Sequence, residues 1–250
     1  MKSVEVHLQT SDGINIAASY IPGTVPFGAV LVHMMPATRG SFENFAQQLA
    51  AAGLHTLAID LRGHGDSAGG DYQNFTNEQH QKAIFDVLAA VDFLKKQNTE
   101  MMIGFVGASI GGSLSLQYCA ANPAQFLVLL SPGLQYREIE TGRMVIILPE
   151  ELPVYFVSAL DDGRVEGNSA QTETLFNACS SLNKQIKIFP EGGHGTEIIA
   201  RNPDFAKELV EWIRNACTFK PGPVANFDSE NSNGPAEHPD NEASGEEIIH

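Results

Sequence analysis

One short stretch constrains the fold of this chain more than any other: the run MMIGFVGASIGGSLSLQYCAANP, residues 101–123. An apolar segment ends at Gly107, Ser109 stands among residues with little or no side chain, and a second apolar segment follows Gly111. This pattern is typical of a buried β-strand that turns sharply into an α-helix. The glycines predict a turn too tight for larger side chains.

Seven further segments have the composition of strands. They are VEVHLQT (4–10), NIAASYI (15–21), GAVLVHM (28–34), LHTLAIDL (54–61), FLVLLS (126–131), PVYFVSA (153–159) and IKIFPE (186–191). The first two alternate around Ser11-Asp12-Gly13 and predict a hairpin. Continuous apolar runs such as 28–34 indicate strands that are buried on both faces.

Segments with helical spacing separate most of these strands. They lie at 41–53, 77–97, 110–122, 168–181 and 203–216. A hairpin followed by regular alternation of strand and helix predicts an α/β fold with a mostly parallel sheet of eight strands and helices on both faces. We expect residues 1–217 to form this single domain.

Residues 218–250 differ in composition from the rest of the chain. They are rich in Pro, Gly, Asn, Ser and acidic residues, and after Lys220 there are seven acids and no base. Such a segment cannot bury enough apolar surface to offset the entropy of ordering, so we predict an acidic, disordered tail. The net charge of -15 also argues against nucleic acid as a partner.

Composition also bears on location and cofactors. Three cysteines, Cys119, Cys179 and Cys217, show no spacing typical of a metal site and indicate a reducing compartment. The first residues lack the apolar core of a signal peptide, and no apolar run approaches the ~20 residues of a membrane span. We therefore predict a cytoplasmic protein with no bound metal. The oligomeric state cannot be predicted.

The strand, Gly-x-Ser-x-Gly and helix at Ser109 form the pattern of a nucleophilic serine. The helix begins beside the serine, so its free N–H groups point toward developing negative charge, and the N–H of Ile110 is a candidate oxyanion donor. The alternative is a glycine-rich turn that happens to contain a serine.

A nucleophilic serine needs a base, and the base needs an orienting acid. Among eight histidines, His194 is our candidate base because it follows the last strand, at the edge where open α/β sheets carry active sites. The alternative is a histidine in a surface loop. Asp161 and Asp162 both follow the strand at 153–159. We predict Asp162 as the acid, with Asp161 as the alternative, and expect the other aspartate to cap its own turn.

These residues together resemble the α/β-hydrolase superfamily over about residues 1–217. The specific matches are Gly107–Gly112, Asp60–Ser67, Asp161–Asp162 and Gly193–Gly195. The resemblance implies a catalytic triad of Ser109, His194 and Asp162, and it implies a structural role for His64. The acid loops of this family often read Gly-x-x-Asp-x-x-Val, and residues 159–165 fit that pattern with Asp162 as the acid and an alanine in place of the glycine.

One departure from the family concerns the third strand, which often ends in His-Gly. Here the strand ends in His33-Met34-Met35-Pro36. By the resemblance, the N–H of Met35 falls at the place of the second oxyanion donor. We predict that Met34 contacts substrate as part of an acyl pocket, because thioethers suit irregular apolar cavities. The alternative is that both methionines fill the core.

A second departure concerns size, since only residues 132–152 separate two strands between which many relatives insert a lid domain. The resemblance therefore implies an open site, as in small lidless serine esterases and the dienelactone-hydrolase-like branch; a serine at 109 favours an esterase. We predict cleavage of small carboxylic esters through an acyl-enzyme, without a cofactor. Alternatives are a thioesterase or serine peptidase on the same fold, or a non-catalytic binding protein.

Overall fold

The computed structural model describes residues 2–218. Its strands are β1 (Val4–Gln9), β2 (Asn15–Ile21), β3 (Phe27–Val32), β4 (His55–Ile59), β5 (Met102–Ala108), β6 (Leu127–Leu130), β7 (Gln135–Tyr136), β8 (Ile139–Glu140), β9 (Val154–Ala159) and β10 (Lys184–Phe189). Its helices are α1 (Glu43–Ala51), α2 (Asn77–Gln81), α3 (Ile84–Gln97), α4 (Ile110–Ala121), α5 (Thr141–Val145), α6 (Asn168–Ala178), α7 (Thr196–Arg201) and α8 (Pro203–Thr218).

Eight strands form one sheet in the order β1-β2-β4-β3-β5-β6-β9-β10. The β1–β2 and β2–β4 pairs are antiparallel, whereas every pair from β4 to β10 is parallel. The predicted fold class, with β5 near the centre of the sheet, is confirmed. Because parallel strands end at a common edge, the loops after β3, β5, β6, β9 and β10 meet there.

Helices cover both faces of the sheet, as predicted. Along β3, Val30 and Val32 belong to the core under α3 and α4, whereas Ala29 and Leu31 belong to the core under α1 and α8. Successive side chains of a strand point to opposite faces, and here both faces are covered. This explains why the strands read as unbroken apolar runs.

Two local predictions require correction. The helix predicted over 77–97 is two helices, α2 and α3, separated by Lys82 and Ala83. Helix α2 has its own capping box, in which Thr76 Oγ accepts the Gln79 N–H and Gln79 Oε1 accepts the Thr76 N–H. The apolar stripe that suggested one long helix begins only at Ile84.

The stretch between β6 and β9 contains the β7–β8 hairpin and the short helix α5, which the sequence pattern did not predict. Helix α5 lies against α4, and the hairpin turn contacts α2. Asn77 Nδ2 donates to Glu138 Oε1 at 2.9 Å, and Gln81 Nε2 donates to the Arg137 carbonyl at 3.0 Å. Residues 2–218 therefore contain no lid domain, as predicted.

The predicted acidic tail, residues 218–250, lies outside the described residues apart from Thr218, which ends α8. Within residues 2–218, no helix combines the length and the apolar character that a membrane crossing requires.

Candidate active site

The turn between β5 and α4 holds Ser109 in a strained backbone conformation. Its φ of 50° and ψ of -116° are rare for a residue with a side chain. A Cβ atom at Gly107 would overlap the Gly111 carbonyl, and one at Gly111 would overlap the Val32 carbonyl. The tight turn predicted from these glycines is present, and neither position has room for a side chain.

Helix α4 begins directly after this serine. The Ser109 N–H donates to the Leu130 carbonyl at 2.9 Å, which fixes the turn to β6. Ile110 is the first residue of the helix, so its N–H belongs to the group of amides that have no acceptor within the helix. The helix dipole adds partial positive charge at this end. Both features suit an anion that forms beside Ser109.

His194 and Asp162 are in direct contact. His194 Nδ1 lies 2.6 Å from Asp162 Oδ2, and the two side chains are only 3% and 2% exposed. Asp162 Oδ1 accepts the N–H groups of Arg164 at 3.0 Å and Val165 at 3.2 Å, which hold the carboxylate in place. Because a carboxylate only accepts, the ring N–H lies on Nδ1, and Nε2 is the basic nitrogen of the neutral ring.

Asp161 contacts the histidine loop rather than the histidine ring. Its Oδ1 accepts the N–H groups of Gly192 and Gly193, both at 2.8 Å. The Gly193 N–H, together with the Gly192 N–H and the nearby Arg201, lowers the pKa of the Asp161 carboxyl below its usual value. Of the two aspartates left open by the sequence, Asp162 therefore contacts the ring and caps its own turn, and Asp161 anchors the next loop.

The loop after β3 lies against the start of α4. The position of a Cβ at Gly111 is already occupied by the Val32 and His33 carbonyls. Met35 is half-buried and packs against the core that includes Ile110. Met34 is only 4% exposed and packs in the core on the other face of the sheet. Of the two methionines, Met35 therefore has the more accessible side chain.

The loop containing His194 packs against the turn between β5 and α4. A Cβ at Gly195 would come 3.2 Å from the Cβ of Ala108, the residue before Ser109, and 2.6 Å from the Met34 sulfur. The histidine loop, the turn after β5 and the loop after β3 thus form one cluster at the carboxyl edge of the sheet.

Two other buried histidines belong to the framework. His33 Nε2 accepts the Leu61 N–H at 3.0 Å, and burial lowers its pKa to about 4. The His64 ring stacks on Tyr72 with centroids 3.9 Å apart, and burial lowers its pKa as well. Both rings join loops at the carboxyl edge of the sheet, which agrees with the structural role expected for His64.

One residue of this cluster was missed by the sequence reasoning. Ser131 follows β6, is 1% exposed, and its Oγ accepts the Gly195 N–H at 2.9 Å. The available signal was its position, since it directly follows a buried strand at the edge where the other site residues lie.

Among the described residues, no group of three or more His, Cys, Asp or Glu side chains has an arrangement suited to a metal ion. The three cysteines are buried and unpaired, and burial raises the pKa of the Cys119 thiol.

The sheet order, the strained serine after β5 and the buried histidine–aspartate pair at the same edge of the sheet define the class: this is an α/β-hydrolase. Residues 28–152 match the model of the family described as "Serine aminopeptidase, S33". The chain therefore belongs to this family of the α/β-hydrolase superfamily, and the resemblance inferred from sequence is confirmed. The matched range includes Ser109 but ends before Asp162 and His194.

Several curated proteins are similar in sequence. Monoglyceride lipase of Mus musculus is 27% identical over 166 residues, covering 65% of this chain and 54% of that protein. Monoacylglycerol lipase of Mycolicibacterium smegmatis is 28% identical over 115 residues, covering 46% and 40%. The chain thus spans about half the length of the curated relatives it matches.

Solved structures support the fold. An esterase of Pyrococcus furiosus superposes with a TM-score of 0.72 at 17% identity, covering 86% of this chain and 92% of that one. A Butyrivibrio proteoclasticus protein with bound ferulic acid superposes with a TM-score of 0.70 at 17% identity, covering 86% of this chain and all of the other. At this level of identity the likeness concerns the fold alone.

Proposed function

We propose that this chain is a serine hydrolase that cleaves carboxylic esters, with Ser109 as nucleophile, His194 as base and Asp162 as the orienting acid. The observation that carries the proposal is the buried His194–Asp162 contact of 2.6 Å, on a loop that packs against the residue before Ser109. A histidine held by a carboxylate beside a strained serine is the arrangement that activates a hydroxyl for acyl transfer.

In the first step, Ser109 Oγ attacks the ester carbonyl carbon while His194 Nε2 takes the hydroxyl proton. The resulting oxyanion accepts hydrogen bonds from the N–H groups of Ile110 and Met35. Removing one such donor typically lowers turnover about 10²–10³-fold. The intermediate then expels the alcohol, which receives its proton from the imidazolium, and the acyl group remains on Ser109.

In the second step, water attacks the acyl-enzyme and gives its proton to His194. The second tetrahedral intermediate collapses to the carboxylic acid, and Ser109 Oγ recovers a proton from the imidazolium. Asp162 stays ionised throughout, and it keeps the ring N–H on Nδ1 while it stabilises the imidazolium. His194 carries every proton transfer in this scheme, and the backbone N–H groups only donate hydrogen bonds to the oxyanion.

For the substrate, we propose small esters with an apolar acyl group, monoacylglycerols among them. Two curated relatives carry the names monoglyceride lipase and monoacylglycerol lipase. The accessible side chains near the site also include apolar ones. Leu160, two residues before Asp162, is largely exposed, and Met35 is half-buried. Such surfaces suit a hydrocarbon chain better than a charged group.

A second candidate, peptide hydrolysis, is favoured by the description of the matching family as a serine aminopeptidase. The same triad can cleave amides, so the choice depends on the substrate pocket rather than on the chemistry.

The test is a panel of p-nitrophenyl esters from acetate to decanoate, with a monoacylglycerol, an acyl thioester and amino-acid p-nitroanilides. We expect turnover of esters above anilides, and about a 10⁴-fold or larger loss of kcat in Ser109→Ala. Ser113→Ala is the matched control. It removes a buried hydroxyl one helical turn further along α4 whose bond to the Ser109 carbonyl is long, at 3.4 Å, while the Ser113 N–H still donates to that carbonyl at 3.0 Å, so activity should be retained.

A fluorophosphonate probe gives an independent readout, because it modifies an activated serine without regard to the natural substrate. We expect labelling of the wild type and of Ser113→Ala, but not of Ser109→Ala. A wild type that neither turns over any ester nor takes the label would refute the proposal. Faster turnover of anilides than of esters would establish the peptidase instead.

A further inference from the structure

Ser131 occupies a special place at the end of β6, between the strand that leads to Ser109 and the strand that leads to Asp162. Its N–H donates to the Val157 carbonyl of β9 at 2.7 Å, and the preceding carbonyl, of Leu130, accepts the Ser109 N–H at 2.9 Å. The backbone at Ser131 is therefore held on one side by strand β9 and on the other by the turn that contains Ser109.

The Ser131 hydroxyl reaches a third loop, the one that contains His194. Its Oγ accepts the Gly195 N–H at 2.9 Å in a fully buried hydrogen bond. The same peptide unit is held at its other end, since the His194 carbonyl accepts the Glu197 N–H at 3.1 Å. These two bonds set the orientation of the peptide plane that follows the histidine, and hence of the backbone that carries its ring.

The histidine loop depends on such side-chain contacts because it has little rigidity of its own. Three of its four residues from 192 to 195 are glycines, and Gly193 and Gly195 have positive φ angles. Asp161 binds the amides of Gly192 and Gly193, before the histidine. Ser131 binds the amide directly after it. The two anchors thus lie on either side of His194.

The backbone conformation of Ser131 is unfavourable for a residue with a side chain, so a serine at this position costs free energy that a glycine would not. Its φ of 51° lies in the left-handed region that favours glycine. A glycine would remove the strain but would also remove the acceptor for the Gly195 N–H. Strained residues of this kind concentrate at functional sites, where the rest of the structure holds them in place.

We propose that Ser131 is a positioning residue for His194. By accepting the Gly195 N–H, its hydroxyl holds the imidazole in line between Asp162 and Ser109. This inference rests on the proposed function, in which His194 is the base, and it adds a fourth side chain on which the geometry of the triad depends.

The test compares Ser131→Ala, which removes the acceptor but keeps the strain, with Ser131→Gly, which removes both. A small displacement of a catalytic group can lower the rate by about 10²-fold, so we expect both variants to lose about 10- to 100-fold in kcat, with KM within about twofold of wild type. The glycine variant should unfold at the higher temperature of the two.

Ser158→Ala is the matched control. Ser158 lies in neighbouring β9, is fully buried, and its hydroxyl makes no hydrogen bond to the described residues. Like Ser131→Ala, this substitution removes one buried hydroxyl. That hydroxyl makes no hydrogen bond to the histidine loop, so kcat should match wild type.

A readout independent of turnover is the low-field proton resonance of His194 Nδ1, which reports the hydrogen bond to Asp162. It should be sharp in the wild type and in Ser158→Ala, and shifted or broadened in both Ser131 variants. The acidic limb of the kcat/KM pH profile should move in the Ser131 variants alone.

Two results would overturn the inference. One is an unchanged kcat and Nδ1 resonance in Ser131→Ala. The other is full recovery of kcat in Ser131→Gly, which would mean that the backbone conformation matters and the hydroxyl does not. A wild type without hydrolase activity whose Nδ1 resonance still changes in the Ser131 variants would refute the proposed function but leave the positioning of His194 intact.

Discussion

Two histidines at the carboxyl edge of the sheet are both buried, but their ring nitrogens have different hydrogen-bond partners. His194 is 3% exposed and His33 is 0% exposed. The Nδ1 of His194 lies against the Asp162 carboxylate at 2.6 Å. The Nε2 of His33 accepts the Leu61 N–H at 3.0 Å, and its Nδ1 lies 2.8 Å from the Met34 carbonyl.

This difference in partners separates the proposed base, His194, from His33, which links two loops. When His194 takes a proton, the new positive charge lies beside an anionic carboxylate. When His33 takes a proton, it loses the hydrogen bond from Leu61, and neither ring nitrogen contacts a carboxylate. Burial therefore lowers its pKa to about 4, although the nearby Asp60 acts in the opposite direction. Both rings are buried, so burial does not distinguish them. The partners of the ring nitrogens do: a carboxylate lies against Nδ1 of His194, whereas a backbone N–H donates to Nε2 of His33.

The strongest test of this comparison is His194→Gln. Without the imidazole there is no group to take the proton from Ser109, so we expect kcat for an ester to fall about 10⁴- to 10⁶-fold. The protein should remain folded, because the His194 side chain contacts the site rather than the core clusters. Turnover assays and thermal unfolding measure the two effects.

His33→Gln is the counterpart in the same experiment. Glutamine cannot bond both the Leu61 N–H and the Met34 carbonyl in the geometry of the ring, so the unfolding temperature should fall. The kcat of the folded fraction should fall far less than in His194→Gln. Loss of all turnover in a folded His33→Gln protein would contradict the assignment of roles.

The second test separates the two adjacent aspartates. Asp162→Asn removes the pure acceptor beside Nδ1 and favours the wrong ring tautomer, which in a related triad lowers kcat about 10⁴-fold. Asp161→Asn retains an Oδ1 that can accept both glycine amides, so its loss should stay within about tenfold. Equal losses in the two variants would show that anchoring the loop matters as much as orienting the ring.

The sequence predicted most of the sheet because strands buried on both faces leave continuous apolar runs. The runs at 28–34 and 54–61 correspond to β3 and β4, which end two residues earlier. Periodicity predicted one helix over 77–97, where the structure has two. A stripe of apolar residues does not reveal that α2 has its own N-terminal cap. The hairpin between β6 and β9 is too short to leave a periodic signal.

The part of the candidate site that lies directly after the strands could be predicted from the sequence. The Gly-x-Ser-x-Gly pattern selected Ser109. Residues after parallel strands meet at one edge, and this selected His194 and the two aspartates. Which aspartate faces the ring depends on how the turn after β9 contacts the loop after β10, where Asp161 binds two glycine amides and Asp162 binds the His194 ring, and this is a tertiary property. Ser131 was missed because its left-handed backbone and its bond to Gly195 have no signature in sequence.

The smallest expected effect concerns stability rather than rate. The pKa of His33 is about 4 in the folded protein, against about 6.5 for an ordinary histidine. Between these values the unfolded chain binds more protons than the folded one, so the free energy of unfolding should fall as the pH drops from about 6.5 to 4. For one such residue the total is about 3 kcal/mol.

Other groups titrate in the same window with opposite signs. Burial lowers the pKa values of His55 and His64, which act in the same direction as His33. Burial lowers the pKa of His80 to about 4, which adds to the loss at low pH, and raises the pKa of Asp86 to about 6, which opposes it. The informative quantity is therefore the difference between wild type and His33→Gln, in which the contributions of His55, His80 and Asp86 cancel, since His33 does not act on their pKa values. Urea unfolding between pH 7 and 4.5 should show a shallower pH dependence in the variant. If the two slopes were the same, His33 would be able to accept a proton inside the core, and the contrast in partners would no longer support His194 over His33 as the proposed base.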